Sequence, residues 1–409
     1  MARIAQAVIG AGYGDEGKGV VADALAHAAG PGALVIRTNG GAQAGHSVRT
    51  PDGRRHVFHH VGSGALAGAA THLSRWFVHH PMVLGAEAAA LERLQANTVI
   101  TADPRGWVTT PWDMLVNQLA EKARGNARHG SCGYGFGETV GRCEETQHPL
   151  AVADLAGHGL RDKLVAIRDA WAPARLHQLG VDRLAEADRA LLRSDALVER
   201  FLRDCDAFLQ RVRLVPDAAA ASAPWLIFEG AQGLMLDQHH GAFPFVTRSS
   251  TGLANMLATA QEMGVEAIDA FYVTRCYLTR HGRGPMPNER DISHAFAVVD
   301  ETNQPNPWQE QLRFGELDLD VLSAAIAKDL ALAAASRCAV VPRLAVTCLD
   351  QAQGLVPYRR SETGMRARPA AFLEEVAAAV GAPVGLTSYG PSRNHVTLID
   401  ADSARRRAA

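Results

Sequence analysis

Seven residues near the amino terminus carry a phosphate-binding spacing. Gly12-Tyr-Gly-Asp-Glu-Gly17-Lys18 fits G-x-x-x-x-G-K. In such a loop glycines let backbone N–H groups turn inward around phosphate oxygens, and the lysine adds a mobile full charge. The Ser or Thr that usually follows and holds Mg²⁺ is missing: position 19 is Gly, so Asp15 inside the loop is the group placed to take over the metal contact. A second glycine turn, residues 40–46, ends in His46. The plain alternative is a ligand-free strand-to-helix turn in which Asp15 is a turn former and His46 packs. His59–His60, His79–His80 and His239–His240 are adjacent pairs. Neighbours on a strand point to opposite faces, so they make poor chelates and read as structural.

The loop gains weight from the elements around it. An apolar run at 4–9 predicts a buried strand and residues 20–29 predict a helix, so the glycines lie at a strand-to-helix turn, where the helix dipole adds to the cradle. Further strands are predicted at 33–37, 225–229, 270–278, 344–349 and 384–387, with helices at 321–336 and 369–380. The stretch 150–213, rich in Ala, Leu, Arg and Asp, predicts several helices inserted into this framework, and residues 303–308 read as a loop. The expected fold class is α/β: a single large domain over 1–409 with a mostly parallel central sheet, a P-loop-like nucleotide-binding loop and helical insertions. Functional loops then belong at the carboxyl ends of the strands.

Composition narrows the function. At 409 residues and 47% apolar, the chain can bury a sizeable core. A formal net charge of −2 argues against a nucleic-acid platform. The six cysteines form no C-x-x-C pair and read as reduced thiols in a cytoplasm. No window is apolar enough to span a bilayer, and the start lacks the pattern of a signal peptide.

The motifs, taken in order, resemble those of the adenylosuccinate synthetase family. GAGYGDEGKG at 10–19 is similar to its G-x-Q-W-G-D-E-G-K-G, and residues 40–47 to G-G-x-N-A-G-H-T. Residues 228–233 match F-E-G-A-Q-G, with HHGAFPFVTRSS after it. Thr279-Arg280 with Gly284-Pro285 fit T-R-x-G-x-G-P, TCLD at 347–350 resembles T-K-L-D, and 388–391 resembles S-T-G-P. The set spans almost the whole chain.

The resemblance implies a GTP-dependent ligase that joins L-aspartate to IMP through a 6-phosphoryl intermediate, with Mg²⁺ as cofactor and a homodimer as assembly. It implies Asp15 as the base toward purine N1 and a metal ligand, His46 as general acid, and Gly45 as a second metal contact. Gly14, Glu16, Gly17, Lys18, Gly45, His46 and Ser47 match the GTP phosphate side; Asp350, Ser388 and Gly390 match the guanine pocket. Asp15, Gln43, Ser131, Cys132, Gln232 and Thr247 match contacts to the purine nucleotide, and Arg142 matches an arginine donated by a neighbouring subunit. Arg313 is the arginine that survives in the amino-acid loop.

Departures from the family pattern cluster on substrate selection. The T-T-G-R loop with its following arginines is replaced by residues 306–315, of which only Arg313 is basic. Two carboxylates of an aspartate are best clamped by bidentate arginines, so Arg280, Arg283 and Arg290 become candidates to compensate. Gln43 stands for Asn, Ser131-Cys132 for Thr-Thr, and Cys348 for the Lys that packs against guanine, and the chain between Asp350 and Ser388 is short. Alternatives are a paralogue acting on another 6-oxopurine nucleotide such as dGMP or on another amino donor, a P-loop GTPase or kinase, and a non-catalytic nucleotide binder. Gly19 counts against a switch GTPase, and intact Asp15, Lys18 and His46 count against a passive binder.

Overall fold

Every residue of the strand Ala33–Arg37 is buried, which is what a strand covered on both faces of a parallel sheet requires. It belongs to a ten-stranded sheet, seen in a computed structural model that describes residues 3–96, 98–298 and 312–399. The strand order is Val396–Leu398, Val384–Ser388, Ala339–Thr347, Ala267–Arg275, Ile4–Gly10, Trp225–Glu229, Ala33–Arg37, Ala70–Leu73, Ile100–Ala102, Val212–Leu214. All neighbouring pairs are parallel except the outermost, where Val396–Leu398 runs antiparallel to Val384–Ser388.

The strand Ile4–Gly10 lies between Trp225–Glu229 and Ala267–Arg275. From it the chain winds one way through the helix Lys18–Ala29. From Trp225–Glu229 it winds the other way through the helix Leu253–Glu262. The two strands therefore flank a topological switch point, and a crevice opens beyond their carboxyl ends. Alternate residues of the central strand face opposite layers: Ala5, Ala7 and Ile9 join one buried cluster, Val8 the other.

The helical insertion forms its own layer. Leu160–Ala166, Ala172–Gln178, Glu186–Leu192 and Asp195–Arg211 are helices packed on a cluster that includes Trp112, Trp171 and Phe208. In the last of these Val198, Phe201, Cys205 and Phe208 recur every three or four residues and are buried, and Ser194 caps the helix by accepting from Leu197 N at 3.3 Å. The helix expected at 321–336 is Leu319–Leu330 followed by a 3-10 turn to Ala335. The strand expected at 270–278 is two, Ala267–Arg275 and Leu278–Arg280. The loop expected at 303–308 lies outside the described residues.

Candidate active site

The turn after Ile4–Gly10 is closed by its own carboxylate. Glu16 accepts from Gly12 N at 3.0 Å and Gly14 N at 2.7 Å and pairs with buried Lys18 at 2.6 Å. The helix Lys18–Ala29 that follows has no side-chain cap, since Gly17 at its N-cap is left-handed at φ 90°. Its first N–H groups are therefore left for an anion. Gly19 explains the absent Ser or Thr: a Cβ there would lie 2.8 Å from Ser47 O and 3.2 Å from His46 Cβ. The second loop packs directly on the first, and only glycine leaves room.

That packing brings the predicted groups together. Asp15, Gly17, Lys18, Gly45, His46 and Ser47 line one cavity of about 410 Å³, and Asp350, Ser388 and Gly390 line it too. Gly14 and Glu16 belong to the same loop but shape it from behind. Thr279 Oγ1 donates to Gly14 O at 3.4 Å and Thr347 Oγ1 to Glu16 O at 2.6 Å, which ties the loop to two strand ends.

His46 Nδ1 lies 2.6 Å from Glu229 Oε1, with both side chains buried. Burial pulls the His46 value below the usual imidazole range, although the Glu229 charge opposes it. The neutral ring donates Nδ1–H to the carboxylate and presents Nε2 to its surroundings. Burial alone would raise Glu229, but it is held at about 2 by His46, Arg37 and Ser63. Ser63 N donates to it at 3.0 Å, Ser63 Oγ also donates to it, and Arg37 Nε stands 4.0 Å away.

Asp15 sits in left-handed backbone at φ 61°, and its Oδ2 is 3.1 Å from His281 Nε2. Burial would raise this carboxyl. The His281 hydrogen bond, with the charges of His281, Arg275 and Lys18, outweighs that and keeps it below the ordinary aspartate range. Arg275 donates from Nε to Asp15 O and stands directly across from Thr347 in the paired strands. Glu229, His281 and Arg275 are the site residues that sequence reasoning did not single out. Glu229 lay inside a quoted match, and His281 at an unspecified position of the T-R-x-G-x-G-P pattern.

The purine-side residues occupy a neighbouring region. The Gln232 amide lies over the Gly40 turn and Gln43 against Gly41. Gln43 Nε2 and Oε1 and Gln232 Oε1 are buried without a hydrogen-bond partner, a state that a polar ligand relieves. Thr247 is half-buried, its N–H donating to Leu236 O at 2.8 Å. Ser131 is held by Asn117 at 3.1 Å and Glu121 at 3.2 Å, and burial pushes the Cys132 thiol up to about 11. Cys348 lines the cavity in left-handed backbone at φ 60°.

Two arginines among the expected contacts are engaged within the chain. Arg142 is buried, forked onto Asp113 at 2.8 and 2.9 Å, and donates to the carbonyls of His148 and Val108. Arg313 is committed to Glu289 and to the carbonyls of Gly282 at 3.0 Å and Gly284 at 2.9 Å, so it meets a substrate carboxylate only by releasing these. Of the histidine pairs, His60, His79 and His80 are buried in the body, and His59 Nδ1 supports the second loop through Ala44 O at 2.6 Å.

The sequence model of the adenylosuccinate synthetase family matches residues 7–355. Among curated relatives, the adenylosuccinate synthetase of Anaeromyxobacter sp. (strain K) is 32% identical over 293 residues, 69% of this chain and 64% of that one. The one from Myxococcus xanthus (strain DK1622) is 33% identical over 294 residues, 69% of this chain and 65% of its own. The chain thus spans just under two thirds of the length of these relatives. Among solved structures, fully ligated adenylosuccinate synthetase from Plasmodium falciparum superposes with a TM-score of 0.70 at 16% identity, covering 98% of this chain and 100% of that one. Cyanophage S-2L succinoaminodeoxyadenylate synthetase (PurZ), bound to dGMP and to dATP as energy donor, gives 0.62 at 16% identity, covering 100% and 99%. At that identity both likenesses speak for the fold alone.

Proposed function

The chain belongs to the adenylosuccinate synthetase family, and from that premise we propose that it is a GTP-dependent ligase joining L-aspartate to IMP through a 6-phosphoryl purine nucleotide. The observation that carries the reading is that Asp15, Lys18 and His46 wall one cavity, with Asp350 and Ser388 on the same wall.

The chemistry follows from these positions. The ionised Asp15 takes the N1 proton of the purine, which makes O6 nucleophilic toward the γ-phosphoryl group. Lys18 and the free N–H groups of the helix Lys18–Ala29 hold the phosphates. His46, oriented by Glu229, donates to phosphate oxygens once their negative charge has raised its proton affinity. Amine displacement of the 6-phosphate then forms the carbon–nitrogen bond. Asp350 accepts from guanine N1–H and its exocyclic amine, while Gln43 and Gln232 supply amides for the second nucleotide. The oxygen donors Asp15 and Gly45 suit Mg²⁺, which prefers one or two protein oxygens beside phosphates and water and would neutralise charge on the transferring group. The six free thiols fit a reducing cytoplasm. The chain works as a homodimer, with Arg142 reaching the nucleotide of the neighbouring subunit.

A second reading keeps the chemistry and changes the substrate to another 6-oxopurine nucleotide, such as dGMP, or to another amino donor. It is favoured by Arg313, whose guanidinium is already committed to Glu289. Mixing the protein with GTP, Mg²⁺, IMP and aspartate tests the first reading. It expects an N6-succinyl product with one phosphate released per product. GTP-dependent turnover with dGMP or a different amine, but not with IMP and aspartate, would select the second.

A further inference from the structure

The base end of the donor cavity carries a side-chain amide that no role above uses. Gln351 lines the cavity beside Asp350, and both sit in the short 3-10 turn Leu349–Gln351. The turn is held from two sides: Gln351 N–H donates to Cys348 O at 3.1 Å, and Gln351 O accepts from Ala297 N at 2.8 Å.

A buried relay decides which way the amide faces. Arg275 Nη1 donates to Tyr277 Oη at 2.9 Å, and a guanidinium can only donate, so that oxygen is the acceptor. The phenol hydrogen is then left for Gln351, whose Oε1 lies 2.5 Å from Tyr277 Oη. Burial raises the Tyr277 phenol above its ordinary range, so the hydroxyl keeps that hydrogen. Tyr277 itself is fixed, 1% exposed and packed on Phe296 with ring centroids 4.9 Å apart. With Oε1 engaged, Nε2 and its two hydrogens are the end of the amide left to meet a ligand. Ser388, on the same wall, donates its Oγ hydrogen to Gly390 O at 2.8 Å, and the Cys348 thiol is only a weak donor.

A carboxylate beside an amide donor complements one purine edge and opposes the other. Guanine presents an acceptor at O6 and donors at N1 and its exocyclic amine. Adenine presents a donor at N6 and an acceptor at N1. Asp350 and Gln351 pair with the first edge and meet the second lone pair to lone pair and donor to donor, so one pair of side chains both attracts and rejects.

We propose that Gln351 donates its side-chain amide to O6 of the donor guanine and so shares with Asp350 the choice of GTP over ATP. The proposal deepens the donor reading of this cavity and rests on it. It is tested on the full chain by calorimetric dissociation constants for GTP and ATP, comparing wild type, Q351L, Q351E and Y277F.

Q351L should lose about 3- to 10-fold in GTP affinity, with ATP changed less than twofold. Q351E turns a carboxylate toward O6 and should weaken GTP further while strengthening ATP, whose N6 amine it accepts. Y277F removes the hydroxyl that orients the amide and should fall between wild type and Q351L for GTP. Unchanged GTP binding in Q351L, or equal loss of GTP and ATP, overturns the proposal, as does a Q351E protein that prefers GTP as strongly as wild type. Wild-type protein that does not favour GTP over ATP overturns the donor reading itself, which separates the two failures.

Discussion

Asp15 has to be ionised before it can take a proton from purine N1, and its neighbours provide for that. Burial works against the charge, while His281, Arg275 and Lys18 work for it and prevail. Asp15→Asn should therefore leave the fold intact, by circular dichroism, and lower phosphate release from GTP by about 100- to 10,000-fold, the range for a general base. A passive nucleotide binder would show no such loss. Glu229 gives a second prediction. Its folded value of about 2 lies below the ordinary 4.5, so its stabilising effect is present above about pH 4.5 and disappears as the pH falls toward 2. The effect is at most about 3 kcal/mol. Glu229→Gln should lower stability at pH 7, flatten acid unfolding between pH 4.5 and 2 in urea titrations, and reduce kcat because His46 loses its orienting carboxylate. Asp15, Lys18 and His46 were legible in the sequence because glycine spacing betrays a backbone bent around an anion. Glu229 and His281 were not, because they reach their partners from 183 and 266 residues away and no local spacing encodes that.

The two glycine loops are one element in practice, since each is shaped by the other. Gly19→Ser would restore the ordinary P-loop residue yet put a Cβ 2.8 Å from Ser47 O. It should cost about 1–3 kcal/mol, seen as a lower thermal midpoint, and weaken GTP binding, whereas a true switch GTPase would gain Mg²⁺-dependent affinity. Arg142 joins two helices. A lone arginine at a loosely matched position says nothing about burial, and here it clamps the capped start of the helix Pro111–Arg124 through Asp113 to Phe136–Glu145. Arg142→Ala leaves Asp113 buried without its partner and should cost about 3–5 kcal/mol in denaturant unfolding. Strands such as Ala33–Arg37 and Trp225–Glu229 were readable to the residue, because unbroken apolar runs bounded by glycine leave little choice. The break between Ala267–Arg275 and Leu278–Arg280 was not, since the residues between them, Cys276 and Tyr277, are as buried as the strands and carry no turn signature.

At the scale of the whole molecule, the sheet does the positioning. The strands Ile4–Gly10 and Trp225–Glu229 are neighbours at the switch point, and their carboxyl ends deliver the phosphate loop and the Glu229–Gln232 turn to one crevice. The helical insertion shares a buried cluster with the sheet edge and with the hairpin of the second loop, through Val48 and Phe58, and it supplies no side chain to the cavity that Val48 lines. Arg313 is bonded to Glu289 and to the Gly282 carbonyl, and Cys348 lines the cavity, so the groups that bear on substrate choice are local to this chain. The most direct test of the central claim is a matrix of IMP, GMP and dGMP against several amino acids, with GTP and Mg²⁺, read by mass spectrometry alongside phosphate release. The account predicts that at least one nucleotide and amine pair, IMP with aspartate first among them, yields a 6-amino-linked product with GDP and phosphate in equal amounts. Absence of GTP-dependent phosphate release across the whole matrix would contradict it.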